Sequence, residues 1–565
     1  MELKKLSLGN QMFCHIIEHN LTYADKTKYI YELLQSENKN YLLLRPRRFG
    51  KTLLLTTIQE LFSGNPERFK GLWIGKSDYD FPKLPVIQLS MTMNSDSPKL
   101  LQKTLLSRLQ RVAESYNLDV FESDPYKYFI ALIQAVSKVY NSKVVVLIDE
   151  CDAAVTRRMD NLKLAQENAF VLHKFFGTLK DPEVYPNLRL SFITGITRYA
   201  LPSINSSDKY LTDISLDPNY AGICGFTLDD FDSLFSDRLD NTLEELKKKG
   251  AMMPFTSVHE LKDRIYMWYN GYNFGGETRV LNPWNILYFF RNITFNSYWN
   301  QSGRPGHLDS MIKAKPIDFI QATNNTYSES ELKKSDLNQL EAVPVLFHSG
   351  YLTIDKTITN TLVNDSKSEF SYSFRFPDYE VCSTYYSDLF DLILQPERHD
   401  EFRTNGKILR EAIFKKNAKT ISLIFTEYLA RIAYFQRPED EKTYNAFVEF
   451  ILSALGFDVK IEIPGKNGRM DLYFKLKDNV YAIASLRHVS KKKKLTKADE
   501  MAVLARLATK NLTAPIKSKY IVAAVEAKLG PRKVNKLLRK SEREIMTNAE
   551  MDKILLSAKQ KVLSK

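Results

Sequence analysis

Apolar positions along this chain follow two rhythms. Short continuous runs at residues 41–44 (YLLL), 84–92 (LPVIQLSMT), 143–152 (KVVVLIDECD) and 187–200 (NLRLSFITGITRYA) predict strands buried on both faces, as in a parallel sheet. Between them, Leu53, Leu54, Ile58, Leu61 and Phe62 recur at helical spacing, and residues 98–113 and 126–140 read as further helices. Near the N-terminus, Asp25 is placed to cap a helix starting near Lys26. Strands alternating with helices predict an α/β fold with a parallel sheet. Past Pro396, helices over 406–434 and a polar stretch at 436–442 read as a connection to a separate C-terminal region.

The first of these runs carries the chemistry. It enters a basic turn, Arg45-Pro46-Arg47-Arg48-Phe49, reaches Gly50-Lys51-Thr52 and leaves as an apolar helix. That order suits a phosphate-binding loop: backbone N–H groups at a helix N-terminus face anionic oxygens, Lys51 reaches the β/γ-phosphates and the Thr52 hydroxyl holds Mg²⁺. The departure is Arg45, which stands where the usual G-x-x-x-x-G-K-[ST] has its first glycine, while Pro46 removes one N–H donor. The 143–152 run ends in carboxylates, where Asp149 would hold the metal and Glu150 would polarise the attacking water. On the 187–200 run, Thr194 is placed to sense a γ-phosphate and Arg198 to clamp its charge. The alternative for that pair is that Thr194 merely ends a strand and Arg198 pairs with an acidic neighbour.

Composition narrows the rest. A chain of 565 residues implies roughly two to four domains, and 44% apolar with 26% charged residues excludes a disordered chain. No run reaches the roughly 18 apolar residues of a membrane span, and the start MELKKLSLGNQMF lacks the apolar stretch of a signal peptide, so a cytoplasmic protein is expected. Cys14, Cys151, Cys224 and Cys382 form no C-x-x-C pair, which gives neither a zinc site nor a disulfide framework. Charge is uneven: residues 401–565 hold 35 Lys and Arg against 18 Asp and Glu, within a chain of net charge +13. A tail this basic suggests DNA or RNA as partner, although solvated Lys-rich helices give the same balance.

The motifs RPRRFGKT, VVVLIDECD and ITGITR, followed by YAGICGFT (220–227), WYNGYNFGG (268–276), VLNPWNIL (280–287), YWNQSG (298–303) and HSGYLTI (348–354), come in one order. In that order the chain resembles the bacterial AAA-ATPase-like family that carries a C-terminal PD-(D/E)xK nuclease-like domain. The resemblance covers nearly the whole chain, and RPRRFGK[ST] is that family's own form of the loop. It implies a P-loop AAA-ATPase-like domain over 1–235, a helical and small-β lid over 236–395, a helical connector over 396–440 and a nuclease-like domain over 441–565. ATP and Mg²⁺ are the implied cofactors, with Arg45, Arg47, Arg48, Phe49, Gly50, Lys51 and Thr52 around the nucleotide. The middle motifs read as scaffold: Gly271, Gly275 and Gly276 permit positive φ, Pro283 opens a helix, and Trp268, Trp284 and Trp299 read as lid core.

The tail departs from the family pattern. Asp471 is present, but the next strand has Ala484 and Ser485 where a carboxylate belongs and Leu486 and Arg487 where a Lys belongs. One carboxylate is a poor Mg²⁺ ligand set, and Arg stays protonated. Glu449 or Glu500 could supply a migrated ligand. His488 and Lys491, Lys492, Lys493 and Lys494 suit a phosphate-contacting edge or a plain solvated turn. The expectation is an ATPase whose nucleotide state gates a degenerate, nucleic-acid-binding tail. An ATP-regulated Mg²⁺-dependent nuclease and a non-hydrolysing nucleotide-bound switch stay open, as does oligomeric state, a homo-oligomer included.

Overall fold

The computed structural model describes residues 3–201, 211–249, 255–299, 306–320, 322–323, 325–334, 336–360 and 369–393. Beyond these it describes helical residues 406–409, 411–412, 424 and 450–452, and strand backbone at 458–465, 468–476 and 479–483. The chain divides into two compact units, one of residues 1–311 with 322–384, the other of residues 312–321 with 385–565.

The first unit is built on a parallel sheet. Strands β1 (Asn40–Leu44), β2 (Val86–Ser90), β3 (Val144–Asp149), β4 (Leu188–Gly195) and β5 (Thr212–Asp213) lie in the order β2-β3-β4-β1-β5. Every pairing is parallel. All residues of β1 and β3 are buried, which is why these strands read as unbroken apolar runs, whereas β2, at one edge, buries Ile87 and Leu89 in alternation. Because β4 lies between β1 and β3, the loop after β1 and the carboxylates after β3 open a crevice at the carboxyl ends of the strands.

Of the helices described in this region, four fall where the sequence predicts, starting at Thr27, Lys51, Pro98 and Pro125, and three more, starting at Phe13, Ala153 and Leu162, are not foreseen by it. Among them are α1 (Phe13–Glu18), α2 (Thr27–Gln35), α3 (Lys51–Leu61), α4 (Pro98–Ser115), α5 (Pro125–Tyr140), α6 (Ala153–Thr156) and α7 (Leu162–Gly177). Asp25 accepts from the N–H and hydroxyl of Thr27 at the start of α2, and also from the N–H of Trp73. Ser97 and Asp124 cap α4 and α5, each followed by proline at the first helical position. Leu101, Leu105 and Leu109 of α4, Phe129 and Leu132 of α5 and Phe175 of α7 are fully buried with β1–β4 in one core cluster.

Later in the same unit, α8 (Leu228–Lys248), α9 (Val258–Tyr269) and α10 (Pro283–Asn292) share a second aromatic cluster. Thr227 and Asp230 form a capping box at the start of α8, and Asn282 accepts from the N–H of Trp284 where Pro283 opens α10. Two small antiparallel sheets follow, β6 (Asn270–Asn273) with β7 (Arg279–Leu281), and β8 (Thr326–Ser328), β10 (Glu369–Arg375) and β9 (Thr353–Asn360) in the order β8-β10-β9. Gly271 and Gly275 take φ of +145° and +109° as expected, but Gly276 has no positive φ and instead donates its N–H to Asn273 Oδ1 at 3.2 Å.

In the second unit, β11 (Asp458–Gly465), β12 (Gly468–Leu476) and β13 (Asn479–Ile483) form an antiparallel meander, with Asp471 on its middle strand. Among the described residues no helix is long and apolar enough to cross a membrane.

Phe235 carries much of the α8–α10 packing, since its ring stacks on Phe290 at 4.8 Å and tilts against Phe231 at 5.5 Å. Phe235→Ala is expected to destabilise this cluster by roughly 3–5 kcal/mol, seen as an earlier thermal unfolding transition.

Candidate functional site

The site starts where β1 ends. After Leu44 the chain turns through Arg48 at φ +70° and Gly50 at φ +90°, and α3 begins at Lys51. Gly50 suits this left-handed position because it has no Cβ to strain the backbone. The Lys51 ammonium folds back over the loop and donates to the carbonyls of Arg45 and Pro46, each at 2.9 Å. Burial lowers its pKa, opposed chiefly by the Asp149 carboxylate, and the ammonium stands in a desolvated place where a phosphate would meet it with little screening.

Asp149 faces Lys51 from the end of β3. Its Oδ2 accepts from Thr52 Oγ1 at 2.6 Å, and its Oδ1 accepts from Thr194 Oγ1 at 2.6 Å and from the Glu150 N–H at 2.9 Å. The Thr52 hydroxyl and the Asp149 carboxylate are thus adjacent hard oxygen donors, a set that fits Mg²⁺ held jointly with phosphate oxygens. Glu150 sits at φ +52°, and its carboxylate accepts from the Thr92 hydroxyl just beyond β2.

A cavity of about 480 Å³ opens over these groups. It is lined by Arg47, Arg48, Gly50, Lys51, Thr52, Asp149 and Glu150, by Tyr23, Ala24 and Lys26 of the N-terminal segment, and by Pro283, Trp284 and Leu287 of α10. The structure therefore brings Lys51, Thr52, Asp149 and Glu150 together, with Thr194 behind Asp149. Thr194 is fully buried, and its hydroxyl is directed at Asp149.

Two expected nucleotide contacts lie elsewhere. Arg45 is 1% exposed and does not line the cavity; its guanidinium donates to the carbonyls of Leu44 (2.9 Å), Ser215 (2.7 Å) and Tyr220 (3.1 Å). Burial pushes its pKa down to about 10. Arg198 is also buried, with its pKa lowered to about 10 by desolvation, and it pairs with Asp213 of β5, so its charge is occupied away from the cavity. Phe49 is buried as well, its ring edge-on to Tyr272 at 4.8 Å, while exposed Arg48 lies 4.0 Å above the Trp284 ring. Trp284 packs against the α8–α10 core as expected and also forms a cavity wall, while Trp268 packs on Phe295 and Tyr379 and Trp299 on Tyr351.

Several contributors leave no local mark in the sequence. Asp152 is 2% exposed and accepts from Ile196 N (3.0 Å), Thr197 N (2.8 Å) and Thr197 Oγ1 (2.7 Å), pinning the chain after β4 to the end of β3. Thr92, Arg157 and the Lys26–Asp230 ion pair are further examples. Their partners are distant in sequence, so only an acidic run such as Asp149-Glu150-Cys151-Asp152 could have drawn attention to one of them. The tail assignments Ala484, Ser485, Leu486, Arg487, His488 and Lys491–Lys494, together with Glu449 and Glu500, lie outside the described residues; Asp471 is described only as backbone on β12.

Comparison with known proteins agrees with this geometry over its N-terminal part. Residues 7–205, which hold β1–β4, the loop and the β3 carboxylates, match the family described as predicted AAA-ATPase. A protein of Azotobacter chroococcum mcd 1, described as an uncharacterized protein in the vnfD 5' region, is 27% identical over 491 residues, covering 85% of this chain and 89% of the relative. The α/β fold with its five-stranded parallel sheet is consistent with a P-loop-like ATPase domain over the matched residues; neither comparison speaks of a nuclease in the tail.

Asp152 provides a check on this local architecture. Asp152→Ala leaves two backbone N–H groups and a hydroxyl without their acceptor and is expected to cost roughly 2–4 kcal/mol, read as a lowered denaturation midpoint. Thr194→Val, which removes one of the two hydrogen bonds to Asp149 Oδ1, is expected to weaken Mg²⁺-dependent nucleotide binding about fivefold, whereas Thr194→Ser retains it.

Proposed function

We propose that this chain binds ATP with Mg²⁺ in the Lys51 cavity and hydrolyses it. The observation that carries the reading is the 2.6 Å hydrogen bond between Thr52 Oγ1 and Asp149 Oδ2, beside a buried Lys51, at the mouth of the cavity. In this reading the N–H groups at the start of α3 and the Lys51 ammonium bind the β- and γ-phosphates, with Lys51 exchanging two neutral carbonyls for charged oxygens. Thr52 and Asp149 would hold Mg²⁺, whose charge would offset that on the phosphoryl oxygens. Thr194 keeps Asp149 oriented. Glu150 polarises the attacking water once its carboxylate leaves the Thr92 hydroxyl. ATP state would then gate what the basic tail binds, with nucleic acid favoured by the excess of 35 basic over 18 acidic residues in 401–565.

A non-hydrolysing nucleotide switch is the second reading. It is favoured by Glu150 being engaged with Thr92 and Arg198 with Asp213, which leaves neither aimed at a γ-phosphate.

Lys51→Ala is expected to remove most ATP affinity and turnover, because the loop loses its mobile cation; binding retained within a few fold refutes the site. Glu150→Gln separates the two readings, since ATP should stay bound while hydrolysis slows by roughly 100-fold or more. Hydrolysis unchanged in that variant excludes Glu150 as the base, and a wild type that binds ATP without turnover establishes the switch. For the tail, the full chain is expected to bind DNA or RNA with affinity falling steeply with salt, without metal-dependent cleavage. Cleavage abolished by Asp471→Ala would instead establish an active nuclease, and absence of binding at low salt would remove nucleic acid as the partner.

A further inference from the structure

Arg45 occupies the place where a phosphate loop ordinarily needs no side chain, and its guanidinium reaches out of the nucleotide site altogether. Its Cζ lies 4.1 Å from the ring centroid of Phe274, and the same ring meets Phe49 edge-on at 5.5 Å and 86°. Phe274 itself is 3% exposed and lines no part of the nucleotide cavity. One aromatic side chain, more than 200 residues along the chain, thus touches two of the residues that shape the loop.

Phe274 is firmly mounted. Asn273, just before it, exchanges hydrogen bonds with Thr353, its N–H donating to Thr353 Oγ1 at 2.6 Å and its carbonyl accepting from that hydroxyl at 3.0 Å. The Asn273 side chain accepts from Gly275 N at 3.0 Å and so closes the turn around Phe274. Gly275 approaches Leu216 so closely that an added Cβ would lie 2.3 Å from the Leu216 carbonyl oxygen. On the loop side, the Arg45 carbonyl oxygen is one of the two that hold Lys51 Nζ. Contact therefore runs from Phe274 to the Arg45 guanidinium, and from the Arg45 backbone to the phosphate-binding ammonium.

We infer that Phe274 is a positioning residue for the phosphate loop, so that the hold on nucleotide at Lys51 depends on a ring that never touches the nucleotide. A cation over an aromatic face gains most where water is excluded, and this pair is buried on both sides. The interaction is planar and directional, which suits it to fixing the path of Arg45 and Phe49 rather than merely filling space. Pro46 is held in the same manner, since Gly350 packs so tightly on it that an added Cβ would stand 2.7 Å from the Pro46 Cβ. The consequence for ligand binding rests on the ATP-site reading above; the consequence for the loop does not.

The test uses the full chain, without nucleotide and then titrated with MgATP, in wild type, Phe274→Leu, Phe274→Tyr, Arg45→Lys and the Phe274→Leu/Arg45→Lys double variant. Amide hydrogen exchange over residues 45–54 is read against residues 125–140 of α5 as an internal control. Phe274→Leu is expected to speed loop exchange and to raise the ATP dissociation constant, each about tenfold, with α5 unchanged and ligand-free melting nearly so. Phe274→Tyr should restore both within about twofold, and the double variant should be no worse than the poorer single one, because both remove the same contact. Unchanged loop exchange in Phe274→Leu, additive effects in the double variant, or equal loosening of α5 would each overturn the inference. If Phe274→Leu fails to fold, Arg45→Lys and Phe274→Tyr decide it by the same loop exchange. Wild type and Lys51→Ala that both fail to bind ATP would refute the nucleotide reading, while loop exchange still decides the role of Phe274.

Discussion

The arrangement depends on one buried cation. Arg45 leaves β1 as a charged side chain in a place without water, where an unsatisfied guanidinium would be very costly. Three backbone carbonyls on its two terminal nitrogens and an aromatic face, contributed by residues 44, 215, 220 and 274, offset most of that cost and leave Nε without a hydrogen-bond partner. Satisfying Arg45 therefore draws the chain after β5 and the turn after β6 against the phosphate loop. The neighbouring loop residues extend the same pattern, with Pro46 on Gly350, Arg48 on Trp284, and Phe49 on Tyr272 and on the Gly225 N–H, which donates to its carbonyl at 3.1 Å. Arg45 and Pro46 are held away from the cavity, whereas Arg48 and Phe49 are held at its wall beside Lys51, Thr52 and the start of α3.

On the inner face, two carboxylates of one short run divide the labour. Asp149 is tied to Thr52 and Thr194 and keeps its oxygens beside the cavity, whereas Asp152 spends both oxygens on the chain after β4. Gly195, between those anchoring points, packs so closely that an added Cβ would lie 2.5 Å from Cys151 Sγ. These contacts tie the ends of β3 and β4 together, and the Thr52 and Thr194 hydroxyls orient the Asp149 carboxylate. Preorganisation of this kind is what a metal and phosphate site requires, since donors that must reorganise on binding forfeit part of their interaction.

The legible features were those written in local patterns. Buried parallel strands appear as unbroken apolar runs, so β1, β3 and β4 could be read directly, and Gly50-Lys51-Thr52 with Asp149-Glu150 announces its chemistry in adjacent residues. The destination of the loop arginines could not be read that way. Arg45 and Arg198 look like phosphate ligands because they are cations near a phosphate loop, yet folding gave each a buried partner nearer than the cavity. Trp284 reads as core because α10 is apolar, and it does pack on the α8–α10 cluster, but its place in the first turn of that helix also sets its ring against Arg48. The glycine-rich motif of 268–276 reads as scaffold; what the sequence does not disclose is that it converges on the loop of 45–50 together with the motifs of 220–227 and 348–354.

Calorimetric titration of the purified full chain with ATP, in Mg²⁺ and then in chelator, tests the central claim most directly. The account predicts saturable binding of one ATP per chain, weakened by at least about tenfold when the metal is removed, because Thr52 and Asp149 then lose the ion they share with the phosphates. Absence of saturable ATP binding at millimolar concentration, or binding indifferent to Mg²⁺, would contradict it.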